Sequence, residues 1–288
     1  MKQVLVTGSE GFLGRPICEA LETAGYTVIR FDKRLGHDVC REEDLKSAAL
    51  HTEATIHLGA PCSARMFTEQ PEESWFATVK GMKNVLSCCS GRIVFASTCT
   101  LYGESNLPVT EDAVLPPPPN LYAAGKIECE RLCFQAVSTG VDVRILRIFA
   151  GYGPGEFAKG EYASPLMQFI RKILVGQQPI IFGDGGQIRD FVYIDDIVEY
   201  AVRAMTTGSR DRLFNVGTGF GISFRDLAGR IGACIGQRPE PEFTTPPKGY
   251  VGSIVADTQK ARRELGYTAK VRIDEGIKRT IAALRSIV

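Results

Sequence analysis

Directly behind the apolar run Val4-Leu5-Val6 the chain reads Thr7-Gly8-Ser9-Glu10-Gly11-Phe12-Leu13-Gly14, with glycine at every third position between a strand pattern and a helix pattern. Glycines in that place let the backbone turn sharply and approach a pyrophosphate, whose charge is then stabilised by the first amides of the helix. A second β-like run, Thr27–Phe31, ends at Asp32. A carboxylate there accepts hydrogen bonds from adenosine ribose hydroxyls and repels a 2′-phosphate. Gly8, Gly11, Phe12, Leu13, Gly14 and Asp32 together predict a dinucleotide site that takes NAD. Lys33 and Arg34 follow immediately and keep NADP as the alternative, unless they are solvated loop charges.

The same alternation continues. Val4–Val6, Thr27–Phe31, Ala54–Leu58, Arg92–Ala96 and Val143–Ile148 read as buried parallel strands, separated by helical patterns near Phe12–Thr23, Glu42–Ala49, Pro71–Cys89 and Leu121–Ser138. Repeated β-then-α units imply an α/β, Rossmann-type doubly wound parallel sheet, with ligands at the carboxyl ends of its strands. Pro116–Pro119 reads as a stiff loop before a helix that starts near Asn120. After about residue 150 the rhythm changes: Gly151-Tyr152-Gly153-Pro154-Gly155 reads as a loop, and Asp190–Ile194, Ile197–Met205 and Leu213–Val216 as elements that return to the main sheet. The expected organisation is a dinucleotide-binding domain over 1–150 with return segments at about 188–217. A smaller discontinuous substrate lobe takes 151–187 and 218–288.

Charge excludes several classes of partner. With 34 basic and 33 acidic side chains the net charge is +1, so no surplus of positive charge favours nucleic acid or an anionic membrane. No apolar run approaches the ~20 residues of a membrane helix, and Met1-Lys2-Gln3 leads straight into the first strand, so no signal peptide is expected. Cys18, Cys40, Cys62, Cys88, Cys89, Cys99, Cys129, Cys133 and Cys234 contain no CxxC pair. They read as reduced thiols of a cytoplasmic protein. His37, His51 and His57 do not cluster with them, and no structural metal is expected.

Tyr122-Ala123-Ala124-Gly125-Lys126 opens a helix, which puts Tyr122 and Lys126 on one face. A free phenol titrates near ~10, too high for a base at neutral pH. A neighbouring ammonium would favour the phenolate and lower that value, so Tyr122 is the expected catalytic base and Lys126 its partner.

Several further stretches occur in order: Asp38-Val39; Ile56-His57-Leu58-Gly59-Ala60; Ala96-Ser97-Thr98-Cys99-Thr100-Leu101-Tyr102-Gly103; Leu146-Arg147-Ile148-Phe149; Gly183-Asp184-Gly185-Gly186-Gln187-Ile188-Arg189-Asp190; Phe214-Asn215-Val216-Gly217-Thr218-Gly219; and Ala256-Asp257-Thr258. With the glycine loop and the Tyr/Lys pair they make the chain resemble the extended short-chain dehydrogenase/reductases, in their NAD-dependent nucleotide-sugar epimerase/dehydratase branch of UDP-glucose 4-epimerase type. The resemblance implies that Thr98 hydrogen-bonds the reacting sugar oxygen beside Tyr122, and that Lys126 also holds the nicotinamide ribose. It implies that Asp38 and Val39 meet the adenine, that Leu58, Gly59 and Ala60 line the pyrophosphate and ribose, with Ala96 also at the cofactor, and that Thr100 and Arg189 bind substrate, Arg189 at its diphosphate. The resembled enzymes pair as homodimers through helices that correspond to 71–89 and 121–138, where Trp75, Phe76, Val85, Leu132 and Phe134 stand.

Three positions depart from that pattern. Thr78 and Ala150 replace asparagines, and Pro247-Lys248-Gly249-Tyr250 replaces Arg-Pro-Gly-Asp, so that Lys248 would take over from a phosphate-binding arginine. Cys99-Thr100 stands where the resembled 4,6-dehydratases carry Asp-Glu, and Thr100 where sugar-acid decarboxylases carry Glu. The missing carboxylates favour epimerisation. Cys99 is a candidate acid/base thiol or a small buried hydrophobe. The alternatives to epimerisation are an NAD(P)H-dependent keto-sugar reductase, a dehydratase, or a non-catalytic NAD(P)-binding sensor module.

Overall fold

The computed structural model describes residues 2–104 and 107–286. Its main sheet has six parallel strands: β1 (Gln3–Thr7), β2 (Thr27–Phe31), β3 (Ala54–His57), β4 (Arg92–Thr98), β5 (Asp142–Ile148) and, later in the chain, β9 (Leu213–Val216). Their spatial order is β2-β1-β3-β4-β5-β9. Helices α1 (Gly14–Thr23), α2 (Glu42–Ala49), α3 (Ala64–Glu69), α4 (Pro71–Cys88) and α5 (Leu121–Ser138) lie between successive strands. Successive strand residues point to opposite faces. Val4 and Val6 accordingly pack with Ile17, Leu21, Ile56 and Tyr200 on one side, and Leu5 with Leu45, Met82, Ile93 and Cys129 on the other. Apolar cores on both faces explain why these strands read as continuous apolar runs.

Strand order reverses between β1 and β3, and this opens a crevice above the sheet. There the loops after the two strands touch. Gly59 N donates to Thr7 Oγ1 at 3.2 Å, and a Cβ added at Gly8 would lie 2.8 Å from Gly59 N.

The remaining elements build a second layer of structure. β6 (Ala150–Tyr152), β8 (Ile188–Tyr193) and β10 (Gly221–Ser223) form a three-stranded sheet, and β7 (Ile180–Phe182) pairs with β11 (Glu242–Thr244). Helices α6 (Pro165–Leu174), α8 (Phe224–Ile235) and α10 (Ile273–Arg285) enclose a core of Phe169, Ile170, Phe191, Phe224, Ile231 and Ile281. The other two helices, α7 (Ile194–Thr206) and α9 (Gln259–Leu265), return to the main sheet's core.

Three local expectations need correction. Residues 190–193 do not return to the main sheet: they belong to β8, whose partners are β6 and β10. The stretch read as a loop from Gly151 begins inside β6, too short and too rich in glycine for an alternating pattern to show. The first helix starts at Gly14, leaving Phe12 and Leu13 in the turn. Helix α3 has no counterpart in the periodicity because it spans only six residues; its N-cap Ser63 accepts from Met66 N. No helix among the described residues is long and apolar enough to cross a membrane.

Candidate active site

The glycine loop is shaped by contacts that leave no room for side chains. Gly8 lies at φ +74°, the left-handed region that favours glycine, and its amide donates to Phe31 O. A Cβ at Gly14 would fall 2.0 Å from Gly8 O, so the third glycine is what lets α1 start against the loop. Helix α1 has neither a side-chain cap nor an acidic residue in its first turn. Arg15 N is taken by Gly11 O at 3.2 Å and Pro16 carries no N–H, so the helix start offers an anion few amides, but no carboxylate of its own first turn competes there. The loop and helix start thus fit a dinucleotide's pyrophosphate.

Asp32 follows β2, its Oδ2 accepting from Glu10 N at 3.1 Å and its Oδ1 from Arg34 N at 2.9 Å. The two cations that kept NADP open are engaged elsewhere: Arg34 donates to Glu10 O at 2.8 Å, and Lys33 pairs with Asp38 at 3.3 Å. Burial alone would raise the Asp38 carboxyl, but the Cys40 amide and the Lys33 ammonium hold it below the usual carboxylate range. Val39 is buried and its carbonyl accepts from Asn84. Leu58, Gly59 and Ala60 lie at the crevice, partly exposed.

Helix α5 brings up the Tyr/Lys pair. Asn120 caps it, its side chain accepting from Ala123 N at 2.9 Å, and Phe67 meets the Tyr122 ring edge-on, 5.7 Å between centroids. The Tyr122 hydroxyl lies near Thr98 at the end of β4, close enough for the threonine side chain to favour the phenolate. Thr98 in turn accepts from Thr100 N at 3.2 Å, and the Thr98 and Thr100 hydroxyl oxygens lie 3.0 Å apart. Lys126 is buried and donates from Nζ to Ala96 O at 2.7 Å, over the Phe95 ring.

The electrostatics differ from the sequence expectation. Burial raises the Tyr122 phenol, and what opposes the rise is the Thr98 side chain rather than the Lys126 ammonium, which is spent on Ala96 O. Burial also lowers the Lys126 ammonium. Cys99 is buried, and its thiol is pushed up to about 12 by that burial, against the nearby charge of Arg189. It is therefore a protonated thiol at neutral pH. Cys62, exposed in the loop after β3, lies near enough to interact electrostatically with both Tyr122 and Lys126. Sequence reasoning passed over it, although its place directly behind Gly59-Ala60 was a usable signal.

Arg189, on β8, donates to Val251 O at 2.7 Å and lies 5.8 and 6.0 Å from the Phe224 and Tyr250 ring centroids. The ion pairs that could have explained it are absent: Asp190 is satisfied by Thr218, Gly219 and Ala256, and Asp195 pairs with Arg279. Among the described residues Arg189 has no carboxylate partner. Lys248 is exposed. The neighbouring Gly249 packs on the α5 cap, where Asn120 Nδ2 donates to Gly249 O and a Cβ would lie 2.3 Å from Pro119 O. Thr78 is buried on α4 against Gly125 of α5, and its hydroxyl finds no hydrogen-bond partner among the described residues. Ala150 is partly exposed on β6.

Comparison with known proteins identifies the family. Residues 4–217 match the model of the NAD dependent epimerase/dehydratase family. A UDP-glucuronate 4-epimerase of Thermodesulfobacterium geofontis is 30% identical over 98% of this chain and 95% of its own. A UDP-glucose 4-epimerase of Thermotoga maritima, solved with UDP-glucose, superposes with a TM-score of 0.90 at 29% identity over 99% of both chains. The UDP-glucose 4-epimerase of Thermus thermophilus, solved with NAD, gives 0.89 at 29% identity over 99% of this chain and 100% of that one. With three quarters of its length matching the family model, the chain belongs to the NAD dependent epimerase/dehydratase family.

Proposed function

We propose that this chain is an NAD-dependent epimerase of a nucleotide-activated sugar. The observation that carries the reading is the meeting of Thr98, Tyr122 and Lys126 at the carboxyl end of β4, in the crevice beside the glycine loop. Bound NAD supplies a reversible hydride acceptor, which allows a sugar C–OH to become a ketone and return. Tyr122 takes the hydroxyl proton, and Thr98 orients the same oxygen and steadies the phenolate. Lys126, held by Ala96 O one turn along the same helix face, is left to position the nicotinamide ribose beside Tyr122. Arg189, a guanidinium without a carboxylate partner, grips the diphosphate through its fork of N–H groups, with Thr100 at the sugar and Lys248 as a further phosphate contact. Inversion then requires only that the ketone turn within the site while Tyr122 keeps the proton for its return.

Several finer points accompany this reading. Asp32, with Lys33 and Arg34 both engaged, favours NAD over NADP. Residues 1–150 with about 188–217 serve the cofactor, and 151–187 with 218–288 the sugar nucleotide. Trp75 and Phe76 on α4 and Phe134 on α5 are exposed apolar side chains that suit a homodimer through those helices. Nine free thiols suit the cytoplasm. Cys99, protonated and buried, is left as a packing residue beside the site.

The test is direct. Mass spectrometry of small molecules released from the purified protein is expected to find NAD. Interconversion of UDP-hexoses at C4 is expected to proceed without added cofactor and without net change in nicotinamide absorbance. Stoichiometric consumption of NADH or NADPH would replace this reading with that of a reductase.

A further inference from the structure

One turn beyond Lys126 on the same face of α5 stands Glu130, a buried carboxylate to which the reaction above assigns no part. Its Oε1 accepts from Ser97 Oγ at 2.5 Å and from Arg147 Nε at 3.0 Å, and its Oε2 accepts from Arg147 Nη2 at 2.7 Å. Ser97 directly precedes Thr98 on β4, and Arg147 is its register partner on β5. Arg147 continues into Glu111 O and lies over the Tyr102 ring, and Tyr102 donates to Asn215 on β9. The helix that carries Tyr122 and Lys126 is thus tied to two neighbouring strands, β4 and β5, through one buried carboxylate.

The geometry forms a ladder. Tyr122 meets Thr98, Lys126 meets Ala96, and Glu130 meets Ser97, three side chains at successive helical turns fixed to three consecutive residues of one strand. A bidentate carboxylate–guanidinium pair is directional, so it fixes rotation of the helix as well as its distance. Rotating α5 by even a small angle would carry the Tyr122 hydroxyl off Thr98. Glu130 also places a negative charge on the side of Lys126 away from the crevice, and that charge works against the loss of the buried ammonium's proton.

We propose that Glu130 is a positioning residue for the Tyr122/Lys126 pair, acting through Ser97 and Arg147 to hold α5 in register with the end of β4. This rests on the catalytic reading above. Glu130→Gln preserves shape while removing the charge, and is compared with wild type as the NAD-loaded protein. The expected result is a fall in kcat of about tenfold or more with KM within about twofold, and an alkaline limb of the pH–kcat profile displaced to lower pH, because Lys126 loses its proton more readily. Glu130→Asp should recover part of both. A lowered melting temperature with unchanged kcat and pH profile would overturn the proposal and leave Glu130 a structural pin. If the wild type itself turns over no UDP-hexose, the catalytic reading fails and NAD binding decides instead. A weakening of NAD affinity by about fivefold or more, with ADP affinity within about twofold, supports positioning of Lys126 at the nicotinamide end. Equal affinities for both ligands overturn it.

Discussion

The β4–α5 layer and the segment around residues 247–252 border the same crevice and are built in opposite ways. On the first side every candidate catalytic group sits in regular structure and has a defined neighbour: Tyr122 with Thr98, Lys126 with Ala96 O, and Ser97 with Glu130. On the second side Lys248 is exposed on irregular chain, and Arg189 is steadied by one carbonyl and two aromatic rings. The contrast teaches a division of labour. On the proposed reading, proton chemistry, which demands sub-ångström placement, falls to a buried, cross-linked layer, whereas the phosphate contacts are divided between Arg189 on β8 and an exposed lysine on irregular chain.

The largest effect that would break this contrast is at Tyr122. Tyr122→Phe is expected to lower kcat by about 10²–10⁴-fold with little change in KM. Because burial raises the phenol, kcat should rise with pH on the acid limb in the wild type, and steady-state profiles check both points. A variant with near-normal kcat would remove the buried layer's chemical role.

The strand beside that layer should be sensitive to acid. His57, buried at the end of β3 with Nδ1 2.7 Å from Thr7 Oγ1, is pushed from 6.5 down to about 3 by burial and by the Lys126 charge. Below pH 6.5 the unfolded chain binds a proton here that the folded chain refuses, so stability falls as pH drops from 6.5 toward 3. At pH 4 the loss from this group is at most roughly 3 kcal/mol. Denaturant titrations of wild type and His57→Gln should therefore converge as pH is lowered, and parallel curves would dismiss His57 as the source.

The smallest effects belong to the other side and sharpen the contrast. Arg189→Ala is expected to raise KM for the sugar nucleotide by about 10–100-fold, the scale of a lost charge-assisted contact. Lys248→Ala should raise it by less than about fivefold, as befits an exposed charge. Equal losses at both positions would mean that the loop is ordered around substrate as firmly as β8.

How far the sequence carried depended on the range of the interaction. The Tyr122/Lys126 face was legible because helical spacing is local and Asn120 announces the cap. The glycine loop was legible because tight turns and close helix packing tolerate nothing larger at Gly8 and Gly14. The expectation that Lys126 lowers the Tyr122 phenol failed, since it needed a distance and a state of burial that spacing does not encode. Glu130 was silent because its partner Arg147 lies seventeen residues away on another element. The membership of residues 190–193 in a small sheet was hidden for the same reason: β6, only three residues long, carries no periodic signal of its own.

The sequence by itself determined the doubly wound sheet, the glycine loop behind its first strand and the placing of Tyr122 and Lys126 on one helix face, because each rests on local periodicity, backbone freedom or chemical type. The tertiary structure alone decided that Lys126 is held by Ala96, that Cys99 is a protonated thiol, that Arg189 has no carboxylate partner among the described residues, and that Glu130 ties α5 to the sheet. Those outcomes depend on which groups far apart in the chain come within hydrogen-bonding distance and on how much water is left around them. Both are properties of packing.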